Sequence, residues 1–144
     1  MSQYQLPVID ITEIPLVALD TMNEVHREEV ALINQLGELV IAGVEGSPDS
    51  EAISFKLNEW VAHTRAHFEG ENKMMKEYGF PPYPVHMGEH QQALSRIESL
   101  QQQWLGDNQL DRLAEYIFVE WLEWFKAHVN SMDMVTARFL SQFI

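Results

Sequence analysis

The chain has 144 residues, about one domain's worth, with 9 Lys and Arg against 22 Asp and Glu, a formal net charge of −13 and no cysteine. So acidic a surface cannot neutralise a phosphate backbone or settle on anionic lipid, which argues against nucleic acid and membranes as partners. The missing thiols exclude a disulfide scaffold, a thiolate metal site and a cysteine nucleophile, and fit a reducing, cytoplasmic setting.

The first 18 residues contain Pro7 and Pro15 and are expected to form an extended arm. Asp10 and Glu13 stand among its apolar residues without a basic flank, so it reads as mature protein and not as a signal peptide. A first helix is predicted over about 19–42, where Met22, His26, Val30, Ile33, Gly37 and Val40 recur at spacings of three and four. Ser47 followed by Pro48 signals the start of a second helix, ending near Tyr78 before Gly79. Its expected inner face is Phe55, Trp60, His63, His67, Glu71, Met74 and Tyr78. A third helix should begin at Pro84 and reach about Leu105, with His86, His90, Ala93, Ile97, Leu100 and Trp104 on one stripe. Asp107 or Asn108 should cap a fourth over about 109–142, turning Leu110, Leu113, Ile117, Trp121, Trp124, Phe125, His128, Met132, Val135 and Phe139 inward. Four long amphipathic helices joined by short loops predict an all-α, antiparallel up-down-up-down four-helix bundle over about 19–142, with residues 1–144 forming one domain.

Polar residues interrupt all four apolar stripes, and a buried imidazole or carboxylate is costly unless paired or bound. They are His26, then His67 with Glu71 one turn on, then His86 with His90 one turn on, then His128 and Asp133. Residues four apart on a helix share a face, so His-x-x-x-Glu and His-x-x-x-His each direct two donors into the same interior space. Imidazole and carboxylate without thiolate suit iron, manganese or zinc, and facing helices of a bundle are where such folds hold metal pairs. A lone inward histidine is more often a hydrogen-bonded core residue, but that reading would need several coincidences to produce the full set. Trp121, Trp124 and Phe125 read as core, with Trp124 and Phe125 close enough to His128 to border a ligand pocket. Asp133 lies five residues after His128, about 140° around an ideal helix, so the pair needs an edge-on approach or a π-type turn.

The ordered motif, His26, then His67-x-x-x-Glu71, then His86-x-x-x-His90, then His128-x-x-x-x-Asp133, resembles the hemerythrins, specifically the bacterial ones, over about residues 14–140. The resemblance implies a non-haem di-iron centre with a bridging hydroxide or oxide that binds dioxygen reversibly, held as hydroperoxide on the iron with an open position. It further implies His86, His90 and His128 on one iron, His26 and His67 on the other, and Glu71 and Asp133 bridging both. Five imidazoles, two bridging carboxylates and one hydroxide fill all but one position of two six-coordinate irons. Phe125 stands where the family commonly has Leu, and His63 where it often has Tyr. His63 is expected beside the site or its channel and not on the metal.

The expected function is therefore dioxygen storage, transport or delivery without turnover, by a monomer that could pass oxygen to a protein partner. An enzyme or scavenger acting on peroxide or nitric oxide, and an oxygen sensor working through a partner, are the alternatives. The excess of imidazole over carboxylate favours binding.

Overall fold

The computed structural model describes residues 4–144, so the first three residues of the predicted arm lie outside the described residues. Three helices, α1 (Asp20–Val44), α2 (Ser50–Glu77) and α3 (Tyr83–Asp107), precede a long fourth, α4, over 110–140. The fourth is continuous but not uniform. Its α-helical pieces Leu110–Glu115, Leu122–His128 and Met134–Leu140 are separated by π-helical stretches at Tyr116–Trp121 and Val129–Asp133. The short connections turn the chain back each time, giving the expected four-helix bundle. No helix among the described residues is long and apolar enough to cross a membrane.

Three starts differ from expectation. α2 begins two residues after Pro48, because the Asp49 carboxylate accepts from the Ala52 amide at 3.0 Å and makes Asp49 the cap. α3 begins at Tyr83, with Pro84 tolerated in the first turn. Neither Asp107 nor Asn108 caps α4: α3 extends through Asp107, and Asn108 closes it in the left-handed conformation with its side chain on the Trp104 carbonyl at 2.7 Å. Asp107 still serves the junction by accepting from the Gln109 amide at 3.1 Å.

The arm is irregular apart from one 3₁₀ turn (Ile11–Glu13), and two asparagines on α1 hold it. Asn34 exchanges two hydrogen bonds with the backbone of Ile9, both 2.9 Å, and Asn23 does the same for Val17 at 2.8 and 3.0 Å. Each amide pairs an otherwise orphaned stretch of backbone as a neighbouring strand would. Val8, Ile9, Ile14 and Val17 are thereby buried on the bundle. A Cβ on Gly37 would lie 2.3 Å from Val8 Cγ2, so glycine there permits the close approach.

The predicted inner faces of α1 and α3 are buried throughout. On α2, Phe55 is 69% exposed, and Ile53, Leu57, Val61, Thr64 and Phe68 fill the interior with Trp60, His67 and Glu71. Phe55 lies two residues from both Ile53 and Leu57, about 200° around the helix, and so on the outer face. In α4 the expectation holds through His128 and then slips by one residue. Val135 is 53% exposed, and the interior positions are Asp133, Thr136, Ala137 and Leu140. A π turn carries an extra residue per hydrogen-bonded ring, so everything after Val129–Asp133 rotates relative to an unbroken α-helix.

Candidate metal centre

The seven residues predicted to hold metal meet inside the bundle, and all are buried. Their donor atoms fall into two overlapping sets, one of His86, His90, His128, Glu71 and Asp133, the other of His26, His67, Glu71 and Asp133. Within each set the atoms lie within 4.8 Å of one another. Helical spacing accounts for the pairs on α2 and α3. The π turn accounts for the pair on α4, since residues five apart stack where the backbone bonds i to i+5. His128 Nε2 is accordingly 3.2 Å from Asp133 Oδ1.

The two carboxylates divide their oxygens between the sets. Glu71 turns Oε2 to His67 Nε2 at 2.9 Å and Oε1 to His90 and His86 at 3.2 and 3.5 Å. Asp133 turns Oδ2 to His26 Nε2 at 2.9 Å and Oδ1 to His86 and His128, both at 3.2 Å. Glu71 Oε1 and Asp133 Oδ1 nevertheless have no well-directed hydrogen-bond donor.

The outward ring nitrogens explain how the imidazoles are aimed. His86 Nδ1 meets the Thr136 hydroxyl at 2.7 Å, His90 Nδ1 the Asn72 carbonyl oxygen at 2.8 Å, and His128 Nδ1 the Glu89 carboxylate at 2.9 Å. The Thr136 hydroxyl points its own proton at Met75 sulfur, so it accepts from His86. With each Nδ1–H donated outward, the Nε2 lone pairs face inward. His128 Nε2 then lies 3.1 and 3.2 Å from the equivalent atoms of His86 and His90, where lone pair would meet lone pair. A cation resolves that arrangement, as it resolves the two undirected carboxylate oxygens. The donor set fits a pair of metal ions, and its imidazole-rich, thiolate-free chemistry is consistent with a di-iron site.

Without metal the same groups must settle their charges among themselves. Burial alone would push His67 and His86 down, but neighbouring carboxylates reverse it, holding His67 well above the ordinary imidazole range and raising His86 to about 9. Burial would likewise raise Glu71, whose attraction to His67 holds it well below the usual carboxylate range.

His63, Trp124 and Phe125 lie around the centre and not in it. Trp124 stacks on His128 with ring centroids 4.5 Å apart and planes at 13°. Phe125 is fully buried and meets His26 edge-on at 5.8 Å. His63 places Nδ1 3.0 Å from Glu29 Oε1 and Nε2 3.2 Å from Glu28 Oε2.

Glu29 was missed from sequence, although it stands one turn after His26 on the same face. It is fully buried and surrounded by donors: Oε2 accepts from the Trp60 indole and the Thr64 hydroxyl, Oε1 from His63 and, at 3.1 Å, from His67. Four donors converge on it, so only an acceptor-only carboxylate fits. Burial would raise its pKa, but the hydrogen bonds from His63 and His67 bring it down to about 2. Glu29 thus accepts the Nδ1–H of His67, so that the proton a metal ion would displace is the one on Nε2, facing Glu71. Asn72 and Glu89 were also missed, although each adjoins a predicted site residue in sequence.

Comparison with known proteins agrees with this geometry. The family model for the hemerythrin HHE cation binding domain matches residues 17–140. A bacteriohemerythrin of Aquifex aeolicus is 29% identical over 117 residues, covering 81% of this chain and 86% of that protein. Another, of Ralstonia nicotianae, is 34% identical over 86 residues, covering 60% and 61%. The crystal structure of a wild-type hemerythrin matches with a TM-score of 0.78 over 95% of this chain and 99% of its own, a likeness of fold at 17% identity. With its bundle, its two-set centre and a family match over most of its length, the chain belongs to the hemerythrin family.

Proposed function

We propose that this chain binds dioxygen reversibly at two iron ions joined by a hydroxide or oxide bridge. In this reading His86, His90 and His128 hold one iron, His26 and His67 the other, and Glu71 and Asp133 span both. What supports it most is that each carboxylate splits its oxygens between the two histidine sets. When bound, the iron pair supplies electrons to dioxygen and takes them back.

The rest of the work falls to the chain. Thr136, Asn72, Glu89 and Glu29 hold four imidazoles at fixed tilt and tautomer. Phe125 meets His26 edge-on, Phe68 stacks on His90 and Met22 lines the approach to His67 and Glu71, so buried apolar surface borders the centre. Five imidazoles to two carboxylates favours binding over turnover. The test is optical: reduced, iron-loaded protein should gain a visible charge-transfer band on admission of oxygen and lose it under argon, cycle after cycle. Irreversible bleaching to a diferric spectrum contradicts the proposal.

A second reading, redox scavenging of peroxide or nitric oxide, draws on Glu29 and His63. A third buried carboxylate bonded to His67 adds negative charge beside the two-histidine end and favours the oxidised metal. Bleaching together with peroxide consumption would select it.

A further inference from the structure

Between α1 and α2 lies a cleft of about 100 Å³ whose floor includes His67 and Glu71 and whose walls include Met22, Val25, Ala66 and Gly70. Its lining is nearly all carbon. It begins at Ala66 and Gly70, which are exposed, and ends at His67 and Glu71, which are buried. At the three-histidine end two of the imidazoles are covered by rings: Phe68 lies flat on His90 at 4.1 Å and Trp124 on His128 at 4.5 Å.

Gly70 is the second observation. It sits inside α2 with no positive φ, and a Cβ there would meet no heavy atom within 4 Å. No turn or close packing requires glycine, yet glycine in a helix interior costs about 1 kcal/mol relative to alanine. What its absent side chain leaves is open space on the wall of the cleft.

We infer that this cleft admits and transiently holds small, uncharged, apolar molecules of diatomic size on their way to the two-histidine end. A carbon-lined space gives water few of the 2–4 polar partners it needs and resists ions, whose desolvation is costly. Its volume is a few times the ~30 Å³ share of one water, enough for a gas molecule and too small for a metabolite. A second cavity, of about 60 Å³ beneath the arm at Asn23 and His26, is the competing route. There His26 Nδ1 is buried without a protein partner, which suits water better than an apolar gas.

The inference rests on the proposed function for its direction but not for its first test. Crystals of the wild-type protein under xenon pressure should show xenon between Met22, Val25 and Gly70, whatever metal is present. Gly70→Leu and, separately, Ala66→Trp should displace it. In iron-loaded protein with full iron content, both substitutions should slow oxygen association and dissociation together by about tenfold, with little change in equilibrium affinity, because a narrowed passage raises one barrier seen from both sides. Xenon found only beneath the arm, or wild-type association rates in both variants, would overturn the inference while leaving oxygen binding intact. Failure of the wild-type protein to bind oxygen at all would instead strike the proposed function and leave the xenon result standing.

Discussion

The two ends of the centre are built differently. At the three-histidine end every outward ring nitrogen has a side-chain acceptor, in Thr136, Asn72 and Glu89, and two imidazoles lie under flat aromatic lids. At the two-histidine end His67 is held by a fully buried carboxylate, His26 Nδ1 has no protein partner, and a carbon-lined cleft reaches the edge of the site. One end is fixed and closed, the other charged and approachable. The contrast teaches where each property should be most sensitive: loss of metal should be greatest on damage to the closed end, and altered reactivity greatest on damage to the open one.

The largest effect should come from His128→Ala, which removes a donor shared in contact by His86, His90 and Asp133. Iron content measured by metal analysis should fall to a small fraction of wild type; near-full occupancy would take His128 out of the site. Next is Glu29→Ala, which takes the acceptor from the buried Trp60, Thr64 and His67 donors and from the half-buried His63 Nδ1. Breaking a buried charged network of this kind costs about 3–5 kcal/mol, readable as a shift in the urea midpoint of metal-free protein. Loss of the carboxylate behind a metal-bound imidazole should also weaken metal affinity by about 10–100-fold.

Glu29→Gln sharpens the same point through pH. A carboxyl whose pKa falls from the ordinary 4.5 to about 2 on folding contributes stability that is present above 4.5 and lost as pH falls toward 2. The stability difference between wild-type and Glu29→Gln metal-free protein should therefore shrink as pH falls across that window, stay level from there to the ordinary imidazole value of 6.5, and shrink again as pH rises through the values to which Glu29 helps raise His63 and His67. A difference that grows on acidification below 4.5 would mean that Glu29 is not held as the anion. His63→Tyr should have the smallest effect: iron remains bound and only the oxygen kinetics change. Lost iron in that variant would make His63 a metal-holding residue.

Much of this was legible in the sequence because helical periodicity is a strong signal and the polar residues violate it. His26, His67, Glu71, His86 and His90 could be placed on inward faces by counting threes and fours. His128 and Asp133 exposed the limit of that counting, since their spacing required a π turn, which the structure supplies at Val129–Asp133. The consequence for residues beyond it was not foreseen, and Val135 and Thr136 exchanged their expected inward and outward places. Glu29 escaped because an acid on a helix is usually a solvated one. Only the convergence of Trp60, His63, Thr64 and His67 from α2 reveals that this acid is interior, and that convergence depends on how α1 and α2 pack. The lids over His90 and His128 were likewise beyond a one-dimensional reading: Trp124 was expected near His128 because it stands one turn before it, but not as a ring stacked on it.

The most direct test of the central claim is oxygen uptake and release per iron. Reduced protein loaded with two irons should take up one dioxygen per iron pair, return it in full under argon, and repeat this over successive cycles with iron content unchanged. Uptake that is not returned, or a protein that binds one zinc and no iron, would contradict the account.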